Sequence, residues 1–134
     1  MKTRYVAALS MLAGVAIGAV SVGGLYAQNK APGAYVVVTF TDIGDEKAFM
    51  ENVGNKAPPV VTKHGGHFIV RTNQFTVLQE GPTPFPLKRY VVVGFDSVDA
   101  AKAWYNSEDM KGINAYNSQH TKGRTYVVPA YQGG

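Results

Sequence analysis

Two apolar runs of this chain share one pattern. Tyr35-Val36-Val37-Val38-Thr39-Phe40 recurs as Tyr90-Val91-Val92-Val93-Gly94-Phe95, and Lys47-Ala48-Phe49-Met50 recurs at the same offset as Lys102-Ala103-Trp104-Tyr105. Side chains alternate along a strand, so Val36, Val38 and Phe40 share one face and Tyr35, Val37 and Thr39 the other. Both faces are apolar, which predicts two central strands with cover on each side. After each run the spacing turns helical. Phe49, Val53, Ala57 and Val61 follow Asp45 on one stripe, and Val98, Ala101 and Tyr105 follow Ser97, a candidate N-cap with Asp99 in the positive first turn. Pro58 and Pro59 predict a kink or restart in the first helix, and Gly65-Gly66 its end. Ser107 is a candidate cap for a further short helix through Tyr116. Each unit closes on another strand-like run, Phe68–Thr72 and Arg124–Val128. Phe75–Glu80 reads as a strand continuing or hairpinning from the earlier of these, and Gly81–Pro86 as a proline-stiffened loop.

Strand-helix-strand twice over is an α+β, ferredoxin-like βαββαβ sandwich: an antiparallel four-stranded sheet with its helices on one face, as right-handed crossovers require. The opposite face stays bare and apolar. A patch on the order of several hundred Å² is rare on soluble monomers and marks an interaction surface. Packing it on a second copy gives a two-fold homodimer, a dimeric α/β barrel, with a closed cavity lined from both subunits. The competing arrangement is a monomer whose Pro-rich loop and C-terminal tail cover the sheet.

The first residues change the setting. Lys2 and Arg4 precede an uncharged, Val/Ala/Leu/Gly-rich stretch from Tyr5 to Tyr26, and Ala27 offers a small residue for cleavage, although Leu25 is bulky for that role. Residues 1–27 therefore read as a signal peptide, with an uncleaved anchor as the competing reading. Residues 28–33 form a linker and 34–134 a single domain in a periplasmic or secreted protein, touching membrane only if the leader is retained. The chain has 13 Lys+Arg against 9 Asp+Glu, and setting aside Lys2 and Arg4 leaves near balance, which removes the support for a nucleic-acid role. Cysteine is absent, so no disulfide and no thiolate chemistry is available.

Lys63-His64-Gly65-Gly66-His67-Phe68, Glu80-Gly81, Phe95-Asp96-Ser97, Ala103-Trp104-Tyr105-Asn106-Ser107 and Gly123-Arg124 together make residues 34–130 similar to the domain of unknown function 1330 family, in the dimeric α/β-barrel superfamily. The resemblance implies a ferredoxin-like protomer and a dimer. It implies no particular reaction, since the wider superfamily spans cofactor-independent monooxygenases, lactone isomerases and haem enzymes. The chain departs from the family pattern at Asp42-Ile43-Gly44-Asp45-Glu46, where Asp-Pro-Glu-x-Tyr is frequent, and at Met110, where an aromatic is frequent.

Candidate chemistry is sparse. His64 and His67 flank the double glycine, but an H-x-x-H pair needs a third ligand, so neither a metal nor a cofactor is expected. His64 and Glu80 are the candidate catalytic proton carriers, His64 competing with a role as helix cap. Arg71 and Glu80 lie in runs that are expected to pair, either as carboxylate binder and base or as a structural ion pair. Tyr35, Arg71, Trp104, Tyr105 and Arg124 are the candidate ligand-binding residues, against core packing for Trp104, interface packing for Tyr35 and a salt bridge for Arg124. No Ser-His-Asp elbow, phosphate loop, CxxCH or HExxH is present. The leading expectation is an exported homodimer enclosing a small apolar or anionic organic ligand between sheet and helices. One alternative is a cofactor-independent oxygenase or isomerase, in which His64 or Glu80 moves a proton and Arg71 or Arg124 stabilises an oxyanion. Another is a non-catalytic protein-interaction module.

Overall fold

The computed structural model describes residues 31–132. The expected signal peptide, residues 1–27, and residues 28–30 of the linker lie outside the described residues. β1 (Ala34–Asp42) leads through α1 (Glu46–Phe49), a π-helical turn (Met50–Gly54) and α2 (Ala57–Lys63) to β2 (His67–Thr72). β3 (Arg89–Phe95), α3 (Val98–Tyr105), a 3-10 turn (Glu108–Met110), α4 (Lys111–His120) and β4 (Lys122–Pro129) complete the chain. The strands form one sheet in the order β2-β3-β1-β4, every neighbouring pair antiparallel. This is the ferredoxin-like α+β sandwich that the pattern predicts.

The duplicated runs pair with each other at the centre, Val36 opposite Val93 and Val38 opposite Val91. That face buries Val36, Phe40, Val93 and Phe95 against Phe49, Val53 and Val61 from the first helical segment and Ala101, Trp104, Met110 and Ile113 from the second. Phe49 meets Phe40 edge-on with ring centroids 5.1 Å apart, and Trp104 lies 5.3 Å from Phe95. The Ser97 hydroxyl accepts from the Ala100 amide at 3.0 Å, so that cap operates as read, and the Asp45 carboxylate, at the start of the first helix, caps it by accepting from the Ala48 amide at 2.8 Å. The first helix does restart at the prolines, which occupy the N-terminal turn of α2 where their missing donors cost nothing. Gly65 ends α2 at φ +84°, and a Cβ on Gly66 would come within 2.7 Å of the Phe95 ring. Ser107 does not cap the following turn; its hydroxyl donates to the Trp104 carbonyl instead.

Phe75–Glu80 is not a strand. It belongs to an irregular loop between β2 and β3, with Leu78 94% exposed. The Thr72 hydroxyl accepts from the Gln74 amide at 2.9 Å, turning the chain off the sheet, and an apolar run with no ladder partner cannot hold strand geometry.

Among the described residues the helices cover one face of the sheet only, so there the expectation of cover on both sides is half met. Across the other face run Val70, Val92, Val37 and Tyr126 in one row and His67, Gly94, Tyr35 and Val128 in the next. Ile69 and Tyr126 are about half exposed there. Pro32 lies against Gly94, whose missing side chain makes room for it.

Candidate functional site

Between the helix-bearing face of the sheet and the π-turn, α2, α3 and α4 lies a cavity of about 720 Å³. That falls within the usual size of small-molecule sites, about 300–1,000 Å³. Its inner wall is apolar and aromatic, with Phe40, Phe49, Val61, Phe68, Val93 and Trp104 prominent. The polar wall is made of amides, Asn55, Asn73, Gln74, Asn114 and Asn117, and of two cations, Arg71 and Arg89. Among the described residues no aspartate, glutamate or histidine lines it.

Arg71 reaches this wall because β2 is bulged. Phe68 pairs with Val93 and Arg71 with Val91, both on the helix-bearing side, while Val70 pairs with Val92 on the other and Ile69 is skipped. Plain alternation would place Arg71 with Ile69 on the opposite face; the extra residue of a bulge re-aims it. Arg71 Nη2 donates to the Gly54 carbonyl at 2.7 Å, and its guanidinium sits 5.1 Å from the Phe68 ring centroid. Among the described residues it has no carboxylate partner. Arg89 differs, because its Nη2 lies 2.7 Å from Glu46 Oε2 and its charge is balanced.

Trp104 is 4% exposed and packs between Phe95 and Tyr105. Its indole N–H and the Asn117 amide oxygen are both buried without a hydrogen-bond partner among the described residues. They form an orphan donor on α3 and an orphan acceptor on α4, an arrangement that costs about 1–3 kcal/mol per group. Tyr105, 41% exposed, stands at the rim.

The structure thus gathers Arg71, Trp104 and Tyr105 at one cavity and leaves the other candidates away from its wall. Tyr35 and Arg124 sit on the open sheet face, Tyr35 opposite Gly94 and Arg124 opposite Thr39. Glu80 is exposed in the loop after β2, so the expected pairing of its run with that of Arg71 does not form. His64 follows α2, and its Nε2 lies 3.2 Å from Asp109 Oδ2, which also accepts from Lys63 Nζ at 2.9 Å. Lys63 first and His64 second hold the Asp109 carboxyl below its ordinary value. His67 stands on the open face and His120 stacks on Tyr116 at 4.5 Å. Among the described residues no three His, Cys, Asp or Glu side chains converge as metal ligands do.

The cavity is lined by residues of one chain, between sheet and helices. Asn73, Asn114 and Asn117 line it without having been singled out in the sequence. The three-residue spacing of the last two on α4 was the signal that could have found them.

A β2-β3-β1-β4 antiparallel sheet with helices on one face and a cavity beneath them defines a protein of the ferredoxin-like α+β class. Residues 33–131 match the family model described as Domain of unknown function (DUF1330), and the chain belongs to that family. Among solved structures it is similar to the RPA0582 protein of unknown function from Rhodopseudomonas palustris, with a TM-score of 0.55 and 14% identity over 84% of this chain and 94% of that one. The methylated form of RPA0582 gives a TM-score of 0.56 and 15% identity over 85% and 93%. SnoaB, a cofactor-independent oxygenase from Streptomyces nogalater, gives 0.50 and 18% over 77% and 97%. At these identities the likeness is one of fold. No curated protein matches the chain.

Proposed function

We propose that this protein is exported and acts as a homodimer in which each chain holds a small organic molecule between its sheet and its helices. The observation that carries the reading is the cavity of about 720 Å³, apolar inside and ringed by amides and an unbalanced arginine. The apolar sheet face that no helix covers among the described residues supports a second copy, since burying what is exposed there removes apolar area from water at about 25 cal/mol per Å². The basic, then uncharged, N-terminal stretch supports export to the periplasm or beyond.

A second reading, cofactor-independent oxygenation, is favoured by the fold likeness to SnoaB together with Arg71, which could stabilise an enolate or phenolate form of a bound molecule. With no carboxylate or imidazole on the cavity wall, such a substrate would have to arrive ionised or lose its proton to solvent. Native mass spectrometry of protein purified from its own host envelope separates these possibilities from the outset. A two-chain mass carrying a retained small molecule is the expected result; a one-chain mass with nothing bound would count against the dimer and the ligand together. Dioxygen uptake in the presence of the recovered molecule would favour the oxygenase.

A further inference from the structure

We infer that the cavity selects an amphipathic organic monoanion, such as an aryl- or alkyl-carboxylate, with its anionic head on Arg71 at the mouth and its apolar body toward Trp104. This rests on the proposal that the cavity is a ligand site, and it adds the charge, the orientation and the residue that reads them. Three observations converge on it. Among the described residues the wall carries no acidic side chain, and its second cation, Arg89, is already balanced by Glu46, so these residues leave one unit of uncompensated positive charge in the cavity. That charge sits on Arg71, which spends one N–H on the Gly54 carbonyl and has no carboxylate partner among the described residues. A guanidinium in that state keeps further donors in the planar fork that matches a carboxylate.

The placement also depends on a departure from regular structure. The bulge at Ile69 interrupts the β2-β3 ladder, and its consequence is that Arg71 and Phe68 face the same side. An arginine with only a solubilising role would sit as well on the regular, outward face. Arg71 itself is exposed while Val61, Val93 and Trp104 behind it are buried, so an anion at the guanidinium stays near water and whatever is attached to it points inward. The neighbouring amides Asn73 and Gln74 stand at the same wall as further donors to the head group.

Trp104 is the only tryptophan of the chain and is part of the wall, so its fluorescence reports occupancy directly. The full chain is titrated with 4-phenylbutyrate and with its neutral isostere 4-phenylbutanamide, exciting at the red edge of the indole band, for the wild type, Arg71→Gln and Arg71→Lys. The anion is expected to bind about tenfold or more tightly than the amide, the scale of a charge-assisted hydrogen bond. Arg71→Gln should erase that preference by weakening the anion alone, and Arg71→Lys should retain part of it. Equal affinity of the two probes for the wild type, or an anion preference that survives Arg71→Gln, overturns the inference while leaving the cavity as a ligand site. If neither probe perturbs Trp104 at millimolar concentration, both the inference and the reading of the cavity fail.

Discussion

Single side chains of this protein are legible in the sequence when their role is local and illegible when it depends on what lies across the fold. Ser97 announces itself as a cap because the partner amide is three residues on, and Asp45, read only as the start of its helix, caps in the same way. Arg71 could be marked as a candidate, but its expected partner run was wrong, because nothing local reveals that its hydrogen bond goes to Gly54, 17 residues upstream. Trp104 carries the clearest tension at this scale, burying an indole while leaving its N–H unpaired. Trp104→Ala should cost about 3–5 kcal/mol, as deletions of large buried aromatics do. Trp104→Phe should cost far less, since losing the orphan donor returns about 1–3 kcal/mol against the smaller ring. Urea denaturation midpoints of the two variants check this, and equal losses would show that the N–H is satisfied in solution. Asp109 gives a pH signature. Its carboxyl is lowered by Lys63 and His64, so the contribution is present above the ordinary carboxylate value and fades as pH falls through the lower folded-state value. Asp109→Asn should flatten that acid-side part of the melting-temperature profile, by a small amount because the cluster is open to solvent. The same variant and His64→Ala should leave cavity occupancy unchanged, since neither side chain lines the wall.

At the scale of elements, periodicity identified both central strands, both closing strands and the break at Pro58-Pro59, because each of these is set by spacing and by backbone chemistry within a few residues. Phe75–Glu80 failed for a complementary reason. Strand propensity states only that a segment fits a pleated, half-buried surface, and beyond the edge strand β2 no such surface is offered. The bulge was equally invisible, since His67–Thr72 reads as an ordinary alternating run until the β2-β3 register is known. Its role can be tested by deletion. Removing Ile69 leaves Phe68 and Arg71 on one face by simple alternation, so the preference of the cavity for anions should persist. Inserting an alanine after Val70 should turn Arg71 outward and abolish it, read by the same Trp104 fluorescence titration. On the helical side, Ser97→Ala removes the cap of α3 and should cost about 1 kcal/mol in thermal unfolding.

For the whole molecule, the sheet separates two surfaces to which the proposed function gives different tasks, and the sequence exposed one more fully than the other. The apolar outer face was evident from Tyr35 and Val37 on β1 and Tyr90 and Val92 on β3, which alternation places together, whereas the cavity was legible only as a space between sheet and helices, without most of the residues that line it. If the outer face joins two copies and the inner face holds the ligand, a charge placed outside should break the first without touching the second. Tyr126→Lys is the sharpest such change: the side chain is about half exposed, lies opposite Val37 at the middle of β1, and stands on the edge strand β4, where a lysine does not disturb the helix-side core. Light scattering should give a mass of two chains for the wild type and one for Tyr126→Lys. Phenylbutyrate should bind both with the same affinity, because Arg71 and the inner wall belong to the opposite side of the sheet. A wild-type mass of one chain would instead mean that Tyr126, Ile69 and Val128 meet water or another partner. Loss of binding in step with loss of the dimer would show that the second copy completes the cavity after all, through a route from β4 to Thr125 on its wall.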